Sequence, residues 1–168
     1  GYETPTLGPY ADKPWPLPKK SYAAQVHRLD QDVGAIRALI DSLGITRKTM
    51  IVFLSDNGAT FLRIANDGSS DIAGKWFNGT LGYRGFKGDL YEGGLRVPGI
   101  VHWPGVVKPG SEYAGRVDFA DLHATLTQVA GIAPPPEIDG RSFAPILGVG
   151  ASFSLRPYQV WYSPDRRQ

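Results

Sequence analysis

The sequence predicts an α/β fold with a mostly parallel sheet. Three features carry that expectation. An amphipathic helical segment precedes an uninterrupted apolar run, Met50-Ile51-Val52-Phe53-Leu54. Runs of this kind, with no polar alternation, suit strands covered on both faces. The run ends abruptly in Ser55-Asp56-Asn57-Gly58. A second apolar stretch and a second helical pattern follow, the rhythm of alternating helix and strand.

The helix is read from Tyr22, Val26, Leu29, Val33, Ile36, Ile40 and Leu43, which alternate spacings of four and three. That spacing lines seven apolar side chains along one stripe. Ser21 stands where an N-cap belongs, and Gly44 suits the left-handed position after the last turn. Before it, Pro5, Pro9, Pro14, Pro16 and Pro18 predict an extended lead-in over residues 1–20. After the first strand, residues 59–90 show no period and contain many glycines, so a long functional loop is expected. Val97 to Trp103 reads as a second strand, with Pro98 confining it to an edge or to its first residue. A second helix is expected from about Asp121 to Ala130, with Leu122, Leu126 and Val129 inward and Gly131 as the stop. Gln159 to Tyr162 reads as the start of a further strand. The segment 1–150 forms one unit in this reading, and 151–168 begins a smaller one.

Bulk properties exclude several classes. The formal net charge of +2 and the absence of any basic block argue against a nucleic-acid partner. Lys19-Lys20 and Arg166-Arg167 are only pairs, the usual mark of solvated surface. With no cysteine, the chain holds no disulfide, thiolate metal site or cysteine nucleophile. No apolar run approaches the ~18 residues of a membrane span. The chain starts without Met and without a signal-like opening, the expectation for a piece of a longer protein.

Two stretches offer chemistry. In open α/β sheets, ligands gather beyond the carboxyl ends of strands. Asp56 and Asn57 stand at that end, one charged and one neutral oxygen donor, as a hard cation such as Ca²⁺ or Mg²⁺ requires. Asp-Asn-Gly is also a good turn sequence, the commoner use of such a tripeptide. The second stretch is Gly85-Phe86-Lys87-Gly88-Asp89-Leu90-Tyr91-Glu92-Gly93-Gly94-Leu95-Arg96-Val97-Pro98. Lys87, with Gly85 and Gly88 close on either side, can bring a compact ammonium against a tetrahedral anion. The bland alternative is a solvated loop lysine. Glu92 and Arg96, four apart, suit a structural ion pair, and Gly93-Gly94 suits close backbone approach. His27, His102 and His123 share no metal-ligand spacing, and Ser55 lacks the glycine-flanked turn of a serine nucleophile.

In combination these residues resemble the formylglycine-dependent sulfatases of the alkaline-phosphatase superfamily. The resemblance runs in order through the helix from Tyr22 to Leu43, TMIVFLSDNG at 49–58, GFKGDLYEGGLRVP at 85–98, Trp103-Pro104-Gly105, Val117 to Gly131, and Ile138-Asp139-Gly140-Arg141-Ser142-Phe143. It implies the C-terminal part of an alkaline-phosphatase-like α/β sandwich, incomplete at both ends. Asp56 and Asn57 are then two ligands of a divalent cation, with calcium the usual ion and magnesium the lesser candidate. Lys87 contacts the sulfate. The family's Cys-x-Pro-x-Arg motif, oxidised to the formylglycine nucleophile, has no counterpart in this chain and is expected upstream, as are the remaining ligands. Ala124 stands where the family often has Pro. The implied activity is sulfuric ester hydrolysis on an aryl or carbohydrate substrate, with a periplasmic, secreted or lysosomal location. A phosphate or phosphonate ester hydrolase of the same superfamily, or a non-catalytic anion-binding remnant, is the alternative.

Overall fold

The computed structural model describes residues 6–60, 75–133, 135–151 and 158–162. Helix α1 spans Leu17–Ser42, strand β1 Ile51–Leu54, the one-turn helix α2 Glu92–Leu95, strand β2 Gly99–His102 and helix α3 Phe119–Val129. Short 3-10 turns lie at Gly8–Tyr10, Thr46–Lys48 and Ala144–Leu147. Strands β1 and β2 are hydrogen-bonded neighbours in a two-stranded sheet. Two compact units are formed, one from residues 1–45, 52–100 and 161–168, the other from residues 46–51 and 101–160.

In the first unit α1 starts earlier than the capping signal predicts. Pro16 occupies the N-cap position and a proline lies in the first turn, so Ser21 is a buried interior residue and caps nothing. Proline fits there because a first-turn N–H has no intrahelical acceptor anyway. The helix ends as expected. Gly44 adopts φ +66°, its N–H donates to the Asp41 carbonyl at 3.0 Å, and Ile45 N–H donates to Ile40 at 3.3 Å. That pair of bonds is a Schellman closure.

The predicted apolar stripe does not face a core among the described residues. Val26, Leu29, Ile36 and Leu43 are each more than half exposed, as is Leu39. The buried positions are Lys19, Ser21, Ala23 and Ala24, all near the helix start. Among the described residues, the aromatic neighbours gather towards that end. Tyr10 stacks on Trp15, Trp15 meets Phe77 edge-on, Tyr22 stacks on Phe77 at 5.5 Å, and His27 meets the Tyr10 ring edge-on. Lys19 and Lys20 are therefore not a solvated pair. The Lys19 ammonium lies 3.3 Å from the centre of the Trp76 ring, and Lys20 Nζ donates to the Ala11 carbonyl at 2.6 Å. Burial of the Lys19 stem with its charge against an aromatic face is a cation–π arrangement.

Strand β1 is half-buried along its length, less than the full burial its composition suggests. Strand β2 begins just after Pro98, so the missing N–H falls outside the ladder. No regular strand forms over Gln159 to Tyr162, and Tyr158, Val160 and Tyr162 are largely exposed.

In the second unit α3 begins at Phe119, with Asp118 as N-cap. Asp118 Oδ1 accepts from Ala120 N–H at 2.9 Å, and Asp121 Oδ2 accepts from Asp118 N–H at 2.9 Å, a reciprocal capping box. The helix closes at Gly131 in the same manner as α1, with Gly131 N–H on Gln128 and Ile132 N–H on Thr127. Its inward face is Asp121, Ala124 and Thr125, and Leu126 is 45% exposed, so the expected Leu122–Leu126–Val129 stripe is rotated out of place. What turns the helix is the segment packed on it. Asp121 Oδ1 accepts from Arg141 N–H at 2.7 Å, and the buried Thr125 hydroxyl accepts from Phe143 N–H at 3.0 Å. A side chain at Gly140 would overlap the Ala120 carbonyl, so only glycine permits this approach. Phe143, Ala144 and Leu147 then complete a small core.

Candidate active-site loop and strand end

The end of β1 and the glycine-rich loop are joined by backbone. Gly58 N–H donates to the Gly94 carbonyl at 2.8 Å, and Lys87 N–H donates to the Ala59 carbonyl at 2.9 Å. Gly93 N–H donates to the Arg84 carbonyl at 2.7 Å. Gly58, Gly93 and Gly94 form the hub of this contact. A Cβ on Gly58 would overlap the Gly93 carbonyl, one on Gly93 would overlap the Gly85 carbonyl, and one on Gly94 would overlap the carbonyls of Phe86 and Asp89. Three separated stretches of main chain thus pack at distances that admit no side chain. Helix α2 is the turn that presents Gly93 and Gly94 to the other two stretches, and both are buried.

On this hub the sequence-predicted residues fall as follows. Asp56 and Asn57 directly precede Gly58. Asn57 is part-buried, and its Nδ2 donates to the Gly58 carbonyl at 3.1 Å, leaving the amide oxygen as acceptor. Ser55 Oγ donates to the Asn57 carbonyl at 2.9 Å, which tightens the turn. Asp56 is exposed, and its carboxylate has no hydrogen-bond or ion-pair partner among the described residues. Lys87 is exposed and likewise unpaired among the described residues, while its backbone is tied to Ala59, two residues beyond Asn57. The loop's acidic residues are engaged elsewhere. Asp89 Oδ2 accepts from Phe86 N–H at 3.0 Å, and Glu92 lies 3.8 Å from Arg96 in an exposed pair. That exposed pair is structural, and such pairs contribute little.

Sequence reasoning does not single out Arg84. Its guanidinium lies 3.8 Å over the Tyr91 ring, and Arg96 sits more loosely over Tyr83 at 4.9 Å. No periodicity links a residue to a partner seven positions on across an irregular loop.

A family model described as Sulfatase matches residues 10–132. The chain belongs to the sulfatase family. Steryl-sulfatase of Rattus norvegicus is 36% identical over 130 residues, which is 76% of this chain and 22% of that protein. N-acetylgalactosamine-6-sulfatase of Mus musculus is 34% identical over 128 residues, 75% of this chain and 23% of that protein. The chain therefore spans between a fifth and a quarter of the length of these sulfatases. Among solved structures, Ps i-CgsB in complex with k-i-k-neocarrahexaose superposes with a TM-score of 0.65 at 29% identity, covering 80% of this chain and 27% of that one. The α/β class expected above, part of an alkaline-phosphatase-like architecture, is the fold of this sulfatase segment.

The donor chemistry of the sulfatase segment fits a hard cation in kind but not in number. Asp56 and the Asn57 amide supply oxygens at a strand end, which suits Ca²⁺ or Mg²⁺ and not a thiophilic metal. Among the described residues no group of three or more acidic or histidine side chains converges to hold a metal. Two donors fall short of the ~6–8 oxygens that calcium takes. Among the described residues no helix is long and apolar enough to cross a membrane.

Proposed function

We propose that the protein containing this chain hydrolyses sulfate esters, and that Asp56, Asn57 and Lys87 belong to its active site. The observation that carries the reading is the double backbone tie, Gly58 to Gly94 and Lys87 to Ala59, which joins the oxygen-donor turn to the lysine loop. Membership of the sulfatase family supports the reaction class.

In this reading Asp56 and Asn57 supply oxygens to a calcium ion, which when bound polarises the sulfuryl oxygens. Lys87 places its ammonium against the sulfate and against the bridging oxygen as negative charge develops there. Its flanking glycine, Gly88, keeps the approach unobstructed. No Cys-x-Pro-x-Arg motif, nor a Ser form of it, occurs in these 168 residues. By resemblance the attacking group is a formylglycine hydrate supplied upstream. The substrate class is a sulfated carbohydrate or an aryl sulfate. The similarity to a protein solved with a neocarrahexaose favours the carbohydrate. The periplasm, the extracellular space or the lysosome is the expected setting.

The test is turnover by the full-length protein on a sulfated sugar and on an aryl sulfate, beside the matching phosphate esters. Sulfate release that calcium chelation suppresses is the expected result. Preferential hydrolysis of the phosphate esters would reassign the site to phosphoryl transfer. The isolated 168-residue chain is expected to release no sulfate at all.

A further inference from the structure

We propose that Arg84 is a specificity-determining residue, binding a second anionic group on a polysulfated saccharide whose first sulfate meets Lys87. The inference rests on the sulfate-ester reading above and adds a substrate class to it.

Between Tyr83 and Arg96 the chain carries three cations, Arg84, Lys87 and Arg96, and two anions, Asp89 and Glu92. Glu92 offsets Arg96, and Asp89 turns back on the loop's own Phe86 N–H. Arg84 and Lys87 remain without a carboxylate partner among the described residues, and both are exposed. Solvated cations on a mobile loop would need no support, yet Arg84 is supported on two sides. Its carbonyl is fixed by Gly93 N–H at 2.7 Å, and its guanidinium rests 3.8 Å over the Tyr91 ring. The ring can sit there because Gly85, at φ +90°, has no Cβ. One built at that position would lie 2.8 Å from Tyr91 Cβ.

Stacking holds the guanidinium plane while leaving its N–H edges free, the arrangement that suits two-point recognition of an oxyanion. Preorganisation lowers the ordering cost that an unsupported arginine would incur on binding. Arg84 and Lys87 are three residues apart, a backbone span of at most about 10 Å. A saccharide carrying sulfates on neighbouring rings presents two anions on that scale. A compact aryl monosulfate presents one.

The experiment uses the full-length protein and its Arg84→Ala and Arg84→Lys variants. Kinetics are measured on an oligosaccharide with two sulfates on neighbouring rings and on an aryl monosulfate. The expected result is a rise in KM for the disulfated sugar, in Arg84→Ala, at least about tenfold larger than any change on the aryl monosulfate. Arg84→Lys should recover part of that loss, since it keeps charge but not the planar fork. Equal losses on both substrates, or no loss on the disulfated sugar, would overturn the assignment. Should the unmodified protein turn over neither compound, the sulfate-ester reading fails separately. Calorimetric binding of the disulfated sugar then decides for Arg84: a tenfold weakening in Arg84→Ala supports it, and equal or absent binding in both proteins refutes it.

Discussion

Gly58 and Gly94, thirty-six positions apart in the chain, share a 2.8 Å hydrogen bond from amide to carbonyl. The bond sits where the carbonyl of Gly93 occupies the space a side chain on Gly58 would need. Substituting Gly58 by Ala should therefore separate the strand end from the loop, at a cost of about 1–3 kcal/mol from overpacking. The contrasting substitution is Gly34→Ala, in the middle of α1, where an added Cβ meets nothing within 4 Å. It should stabilise the 168-residue chain by about 0.5–1 kcal/mol through helix propensity. Urea denaturation of the two variants, read against the parent, checks both signs.

If Lys87 meets the sulfate, truncating it should lower kcat of the full-length protein by about 10²–10³-fold, the usual effect of removing one preorganised charge stabiliser. Lys87→Arg should not restore the rate, because the fork geometry differs from a point charge. Asp56→Ala should raise the calcium concentration needed for half-maximal turnover. Kinetics across a calcium titration separate the two effects, and full activity in Lys87→Ala would remove that residue from the site.

Asp121 and Thr125 hold the 140–143 segment on α3. Asp121→Ala removes the reciprocal cap and leaves the N–H groups of Asp118 and Arg141 without their carboxylate. Loss of the cap alone costs about 1 kcal/mol. Each donor left unpaired adds about 1–3 kcal/mol if water cannot reach it. Thr125→Val is nearly isosteric and should cost about 1–3 kcal/mol, because Phe143 N–H is buried with that hydroxyl. Chemical unfolding followed by far-UV circular dichroism measures both. Equal stability of Thr125→Val and the parent would mean that solvent reaches the amide.

Tyr22 carries the pH-dependent prediction. Burial disfavours its phenolate and raises its pKa from 10.0. The folded state then holds the proton more tightly than the unfolded state. Stability is constant below about pH 10 on this account and falls as pH rises from there towards the folded value. Tyr22→Phe should flatten that fall. Melting temperatures of the two proteins on either side of pH 10 report it.

Much of the local structure was legible. The glycines at 44 and 131 end α1 and α3, because a left-handed residue is the common way to close a helix. The glycines at 93 and 94 mark close backbone contact, as their pairing suggests. Misreadings cluster where a partner outweighed a pattern. Ser21 is a good cap by type, but two prolines start the helix a turn earlier. The inward face of α3 follows its bonds to Arg141 and Phe143 and not its leucines. Lys19 looks like surface and is buried on Trp76.

What the amino-acid order determined by itself was the α/β class and the family, and it nominated three side chains whose chemistry suits a cation and an oxyanion. Those follow from residue type and short-range spacing, which a linear reading contains. Only the tertiary structure decided that Ala59 and Lys87 share a hydrogen bond, that Tyr91 steadies Arg84, and which way each helix turns. Such pairings depend on backbones distant in sequence meeting at van der Waals range, and no local periodicity encodes that distance.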